Sequence, residues 1–267
     1  MSLDVGAALR RGAERAATPS GLLLLVPFAA LSVLNAAATA RLALSLADSA
    51  FVDGVVTTLR EAGRPDLAEA MLATVSTQPL ALPVSPAVAG GVIVAVAVSL
   101  EATRIVADRT FVAEAATGLH EPTRRLGRAT LTGVLASLVV GLLLVLGAAL
   151  VLPALLVAVV FFFTRQFVAW EDESVVGALR SSVSLALDAP LSVLGLAAGL
   201  FVVDLFVGSL VGGVAGLFAP VTTRVVELVA GAAVSVYASA VAADAFRQLR
   251  GLGREEAERE EWEELLP

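Results

Sequence analysis

The chain has 267 residues, 58% of them hydrophobic, with a formal net charge of −7 and a mean hydropathy of +0.88. It has no cysteine and one histidine, which excludes disulfides, thiolate catalysis and multi-histidine metal sites. The 25 acids outnumber 18 basic residues, every one of them arginine, so no basic stripe is available for nucleic acid.

Residues 1–20, with Arg10, Arg11 and Arg15, read as a polar helical lead-in. The first apolar run, 22–46, exceeds the roughly 20 residues a membrane span needs. Leu22–Leu34 also resembles a signal-peptide core with Ala36-Ala37-Ala38 as a cleavage site, but the apolar character continues to Leu46, which favours an uncleaved span. Pro27 falls near the start of that helix and bends it.

Residues 48–85 form a polar insertion. Phe51, Val52, Val55, Val56 and Leu59 share one helical face, and Gly63-Arg64-Pro65 makes a turn. Asp66 then caps a second helix to about Thr77, and Pro79, Pro83 and Pro86 keep the return segment extended. The expectation is a helical hairpin outside the membrane.

A second span covers 87–107, and residues 108–130 form a loop with Arg109, Arg124, Arg125 and Arg128. The apolar stretch 131–169 is too long for one helix at about 1.5 Å per residue. It divides into spans 131–151 and 153–169, turning between Gly147 and Pro153. Trp170 and the acidic turn Glu171-Asp172-Glu173 lead into 174–187, whose pattern is that of a helix lying on the membrane surface. Ser174, Gly177, Ser181, Ser184 and Asp188 form its polar stripe; Val175, Val176, Leu179, Val183 and Leu187 lie opposite. Pro190 opens the fifth span, 190–218, and Pro220 marks a turn into the sixth, 221–246. Residues 1–250 thus form a polytopic membrane domain, and 251–267 an acidic, solvated cytoplasmic tail.

With both termini inside, 14 of the 18 arginines fall on inner segments; only Arg41, Arg60, Arg64 and Arg224 lie outside. The positive-inside rule therefore predicts an all-α bundle of six transmembrane helices, N-in and C-in, multi-pass in the cell membrane.

Residues 160–190, VFFFTRQFVAWEDESVVGALRSSVSLALDAP, carry an aromatic-rich span, the acidic turn and then Ala178-Leu179-Arg180-Ser181 before a further span. This pattern resembles a family of polytopic proteins that includes the membrane domain of some glycerophosphoryl diester phosphodiesterases. The resemblance implies the six-span layout over roughly residues 1–250 and no defined activity; the phosphodiesterase barrel itself has no counterpart here. The acidic, lysine-free composition resembles that of proteins from salt-accumulating halophilic archaea.

Among polar residues in the spans, Asp204 is the sharpest candidate, because a carboxylate at bilayer depth costs several kcal/mol unless paired, protonated or hydrated. Asn35 lies at the same depth and is its expected partner, giving a proton or cation site or a single interhelical hydrogen bond. Glu101 and Arg165 match in depth near the inner ends of their spans, and Glu101–Arg104, Arg104–Asp108 and Arg224–Glu227 have pairing spacings. These charges either anchor helices at the interface or line a polar cavity. Gly195/Gly199 and Gly208/Gly212/Gly216 allow close helix approach on the fifth span, within the monomer or at a homo-oligomer or partner seam. That span is expected to be central, packed on the first or sixth. His120-Glu121-Pro122 reads as a solvated turn.

No nucleophile triad, phosphate loop or metal motif is present, so no catalytic, cofactor or metal residue is assigned. The leading expectation is a non-enzymatic membrane protein that interacts with the lipid bilayer or partner proteins. The alternative is a transporter or channel using Asp204, weakened because the prolines cluster at span ends. A lipid-modifying enzyme, relying on Glu101, Arg104 and Arg165, comes last.

Overall fold

A long apolar run in a lipid slab has one local solution, because only a helix satisfies every backbone N–H and C=O within the segment. The computed structural model describes residues 3–47, 49–76, 78, 80–148, 151–214 and 217–252, and these are helical with short connections. In chain order the helices are α1 (Val5–Ala16), α2 (Pro19–Ala47), α3 (Ala50–Glu61), α4 (Pro65–Ser76), α5 (Pro86–Val112), α6 (Leu126–Gly147), α7 (Val151–Val160), α8 (Thr164–Trp170), α9 (Val175–Asp188), α10 (Pro190–Val214) and α11 (Pro220–Arg250). Six segments are long and apolar enough to cross a membrane: α2, α5, α6, the α7–α8 pair, α10 and α11. Side-chain oxygens of Asp4, Ser49, Ser85 and Ser174 accept from backbone N–H groups at the starts of α1, α3, α5 and α9, which sets those boundaries.

The core gathers α2, α5 and α11, with α1 laid along α11 and α8 against α5. Phe28, Ile105, Phe111, Phe163, Phe167 and Phe246 are buried in it. Gly12 makes the α1–α11 contact possible: a Cβ there would meet Val241 Cγ2 at 2.3 Å and its Cα at 3.0 Å. The lead-in expected from the sequence is therefore an integral layer of the bundle.

Several expectations are corrected in detail. α5 and α11 run past their predicted inner ends, and α6 starts before its predicted inner end, each by about a turn, because helices continue through the interface until a charged turn stops them; at its other end α6 stops at Gly147, short of the predicted 151. Pro27 lies inside α2, which begins at Pro19. Pro65 opens α4, leaving Asp66 in its first turn instead of capping it. The outer hairpin α3–α4 forms as expected around Val52, Val56 and Ala68, although Phe51 is exposed. Its return segment is tied down by Arg41 Nε, which donates to Val84 O at 2.6 Å, and by Leu82 N–H on Ala37 O at 3.2 Å. Pro79 and the tail from 253 onward lie outside the described residues. The fifth span, α10, is peripheral, not central: it packs on α11 as expected, but is the least buried of the six.

The largest departure is in the fourth span. It is two helices, α7 and α8, separated by a turn at 161–163. A break inside a bilayer leaves backbone groups that need partners. Ser182 of α9 supplies them: its hydroxyl donates to Val160 O at 2.9 Å and accepts from Phe163 N–H at 3.1 Å. The buried stripe of α9 is accordingly Ala178, Ser182, Leu185 and Ala186, while Val176 and Leu187, on the apolar side read from the sequence, are exposed.

Two outcomes follow. Ser182→Ala orphans a carbonyl and an N–H, and is expected to cost about 1–3 kcal/mol, seen as a lower melting temperature in nanodiscs. Gly12→Ala pushes a methyl into the α11 backbone and is expected to cost about 1–3 kcal/mol in the same assay, with α1 more accessible to protease.

Candidate functional site

The arginine-rich end, which the positive-inside count makes the inner one, is cross-linked by ion pairs between elements distant in sequence. Asp244 of α11 is buried and accepts from Arg11 Nε and Nη2 at 3.0 Å each, and from Gln248 Nε2 at 2.8 Å. Arg15 reaches Asp244 at 3.2 Å and also pairs with Glu114, which meets Arg247 Nε at 3.3 Å. α1 is thereby clasped to α11 and to the end of α5. Arg109, expected in a solvated loop, is 1% exposed. Its Nε donates to Ala169 O at 2.7 Å, its Nη1 to Arg124 O at 2.5 Å, and its Nη2 to Asp172 Oδ1 at 3.3 Å.

The acidic turn after the fourth span is thus an anchor for three arginines. Asp172 also accepts from Arg124 at 2.8 Å, and Arg125 lies 3.8 Å away. Asp172 has φ 54°, as do Glu114 (54°), Glu121 (41°) and Arg125 (43°) in the left-handed region. Non-glycine residues rarely sit there, and every one of these four is held by a charged partner. The hydrogen bond from Arg124 is the main cause that lowers the pKa of Glu121, and hydrogen bonds to Glu121 and Asp172 raise that of Arg124. Burial raises the pKa of Glu171, opposed by Arg250 at 2.7 Å. His120 is half-buried beside Trp170, ring centroids 6.0 Å apart, so its turn is only partly solvated.

Deeper in the bundle, Glu101 and Arg165 meet as their depths predicted. Glu101 is 3% exposed; its Oε1 lies 3.3 Å from Arg165 Nε and its Oε2 3.6 Å from Arg104 Nη1. Gly133 of α6 makes room for that carboxylate, since a Cβ there would stand 2.7 Å from Glu101 Oε1. The expected Arg104–Asp108 pair does not form: Asp108 is fully buried and neither of its carboxylate oxygens has a hydrogen-bond partner. Gln166 Oε1 and Thr164 Oγ1 are likewise buried without partners. Two clefts flank this group. One, of about 280 Å³, lies between α5, α6 and the break in the fourth span; the other, of about 220 Å³, opens towards α10 and α11. Arg104, Phe162 and Arg165 border both.

Asp204 does not join Asn35. It is exposed on the outward face of α10, with no hydrogen bond or ion pair to the described residues. Asn35 is half-buried on α2 and lines a separate cleft of about 590 Å³ with Ser32, Thr39, Gln78 and Arg224. Equal depth had suggested the pairing; α2 and α10 each pack against α11 but not against each other. Gly199 faces Leu9 of α1, where a Cβ would be 3.2 Å away, whereas Gly208 and Gly212 face open space. Gly216 lies outside the described residues. Arg224 and Glu227 pair at 2.8 Å as expected.

Sequence reasoning missed Asp244 and Ser182, and placed Arg109 in a loop and Asp108 in a pair where the structure buries both. Asp244 had a signal: an acid inside the inner end of a span, with a basic helix elsewhere in need of a partner. Ser182 had none, because nothing in the apolar run 153–169 marks the break.

Asp244→Ala leaves Arg11 and Arg15 facing a buried void. The expected loss is roughly 3 kcal/mol, at the low end for breaking a buried pair because Arg11 is partly exposed. Thermal unfolding in detergent tests it, with Arg10→Ala, an exposed residue, as the control.

Six long apolar helices, charges gathered at one end and a polar cluster within the inner half define a multi-pass membrane protein of the helical-bundle class. Residues 3–248 match the family model described as a domain of unknown function (DUF7847), and the chain belongs to that family. No curated protein and no solved structure matches it.

Proposed function

We propose that the protein is non-enzymatic and acts in the cell membrane by binding, with α10 as the helix that docks a partner protein or a second copy. The observation that supports this is Asp204. A carboxylate on the outward face of a span faces hydrocarbon, at a cost of a few kcal/mol, unless another helix brings it a donor. The open faces of Gly208 and Gly212, one and two turns further along, allow such a helix to approach closely. Asp204 borders none of the clefts described above, so they lend no support to a transport role for it.

The broken fourth span beside a charged cluster favours a second reading, since discontinuous helices line substrate sites in many transporters. That reading would run through Glu101, Arg104 and Arg165 instead of Asp204. The likeness to the membrane domain of glycerophosphoryl diester phosphodiesterases and the halophilic character of the composition belong to the same proposal.

The absence of cysteine makes the test clean. Single cysteines replacing Val202, Leu205 or Ser209 on α10, and Leu138 on α6 as control, are oxidised in native membranes. The expected result is a discrete cross-linked species from α10 alone, a dimer if the partner is a second copy, lost with Asp204→Leu and largely kept with Asp204→Asn. Equal behaviour of the α6 and α10 cysteines would sink the proposal.

A further inference from the structure

The clefts around Arg104 and Arg165 remain to be explained. Arg109 bonds the carbonyl of Ala169, so those two residues share a level at the inner end of the bundle. Arg104 lies five residues deeper on α5 and Arg165 four residues deeper on α8, roughly 6–8 Å at 1.5 Å per residue. Both guanidinium groups reach the one carboxylate of Glu101, at 3.6 Å and 3.3 Å, and so stand at one depth. Their side chains are 39% and 33% exposed. Each carries five N–H donors. Among the described residues the one side-chain partner of both is Glu101. Donors left over at this depth need an acceptor.

The walls of the larger-walled cleft, the one against α6, narrow the choice of acceptor. On α6 it is lined by Gly133, Ala136, Ser137, Val140, Gly141 and Leu144. Those positions recur at three and four residues and so form one face of the helix. The face runs over twelve residues, about 16 Å, close to half of the about 30 Å hydrocarbon slab. The glycines and Ala136 make it a groove, and Phe161, Phe162 and Val168 form its other side. At its charged end Thr164 adds a buried hydroxyl with no partner. The cleft thus joins a donor-rich head to an apolar trough one leaflet long.

We infer that this cleft binds a phospholipid of the inner leaflet, its phosphate held between Arg104 and Arg165 and one hydrocarbon chain laid along α6. Guanidinium forks match phosphate oxygens, and charge-assisted bonds of this kind are the strong ones. Glu101 is a positioning residue: its carboxylate lies against both arginines and sets their separation. Of the nearby acids, Glu101 lines this cleft and Asp108 lines neither, so the two arginines leave one positive charge over Glu101 to meet the phosphate. This site lies on helices other than α10 and stands independently of the partner proposal.

The test is native mass spectrometry and thermal shift on the full chain in dodecylmaltoside, with three probes: phosphatidylglycerol, diacylglycerol of the same chains, and inorganic phosphate. The expected result is a retained, stabilising phosphatidylglycerol adduct, with neither the chains alone nor the phosphate alone reproducing it at equal concentration. Equal retention of diacylglycerol would overturn the role of the arginines, and equal stabilisation by inorganic phosphate would overturn the role of the groove. Because Arg165→Gln alone removes the nearer of the two partners of buried Glu101 and threatens folding, the charge variant is the triple change Glu101→Gln, Arg104→Gln, Arg165→Gln. A second variant, Gly141→Phe, fills the trough where a Cβ meets nothing within 4 Å. Each is expected to weaken phosphatidylglycerol retention about tenfold or more, about 1.4 kcal/mol, while Arg180→Gln on the exposed side of α9 leaves it unchanged. Unchanged retention in folded Gly141→Phe would refute the site. Cross-linking through α10 in that same variant reports on the partner proposal separately.

Discussion

A polypeptide that breaks a helix inside a membrane has to hydrogen-bond the groups it frees, and here one hydroxyl does so. Ser182 bridges Val160 O and Phe163 N–H across the turn between α7 and α8. Much of the inner half depends on that bridge. It seats α9 on the fourth span and sets Phe163 in the core. It also holds the start of α8, from which Arg165 reaches Glu101 on α5.

The second constraint is electrostatic. Acids and arginines from α1, α5, α8, α11 and the connecting turns share one polar layer at the inner end, and almost every charge there has a partner on another element. Exposed ion pairs contribute little to stability, but Asp244 and Arg109 are almost fully buried, and leaving either one unpaired is costly. This layer joins the ends of helices whose apolar flanks have no hydrophobic drive to associate in lipid. It also holds four charged residues in left-handed backbone conformations, each by an ion pair.

What was legible in the sequence followed from length and spacing. Apolar runs of about 20 residues marked the six spans, prolines and the acidic turn marked most ends, and arginine counts set an orientation. Matching depths brought Glu101 to Arg165, because both helices start from the same inner level and really are neighbours. The same depth argument failed for Asp204 and Asn35. Depth is one coordinate; the position of a helix around the bundle axis is another, and apolar spans with nearly uniform hydrophobicity do not encode it. For the same reason α10, rich in small residues, read as central and proved peripheral.

The sequence alone determined that this chain is a six-span helical membrane protein with its positive charge at one end. In hydrocarbon the backbone must satisfy itself, so local composition suffices for that conclusion. Only the tertiary structure decided which charges are paired, that the fourth span is broken, and that Asp204 faces outward. Those outcomes depend on which helices are neighbours and on a few polar contacts between residues as far apart as Arg11 and Asp244. Such contacts leave no periodic trace in the chain.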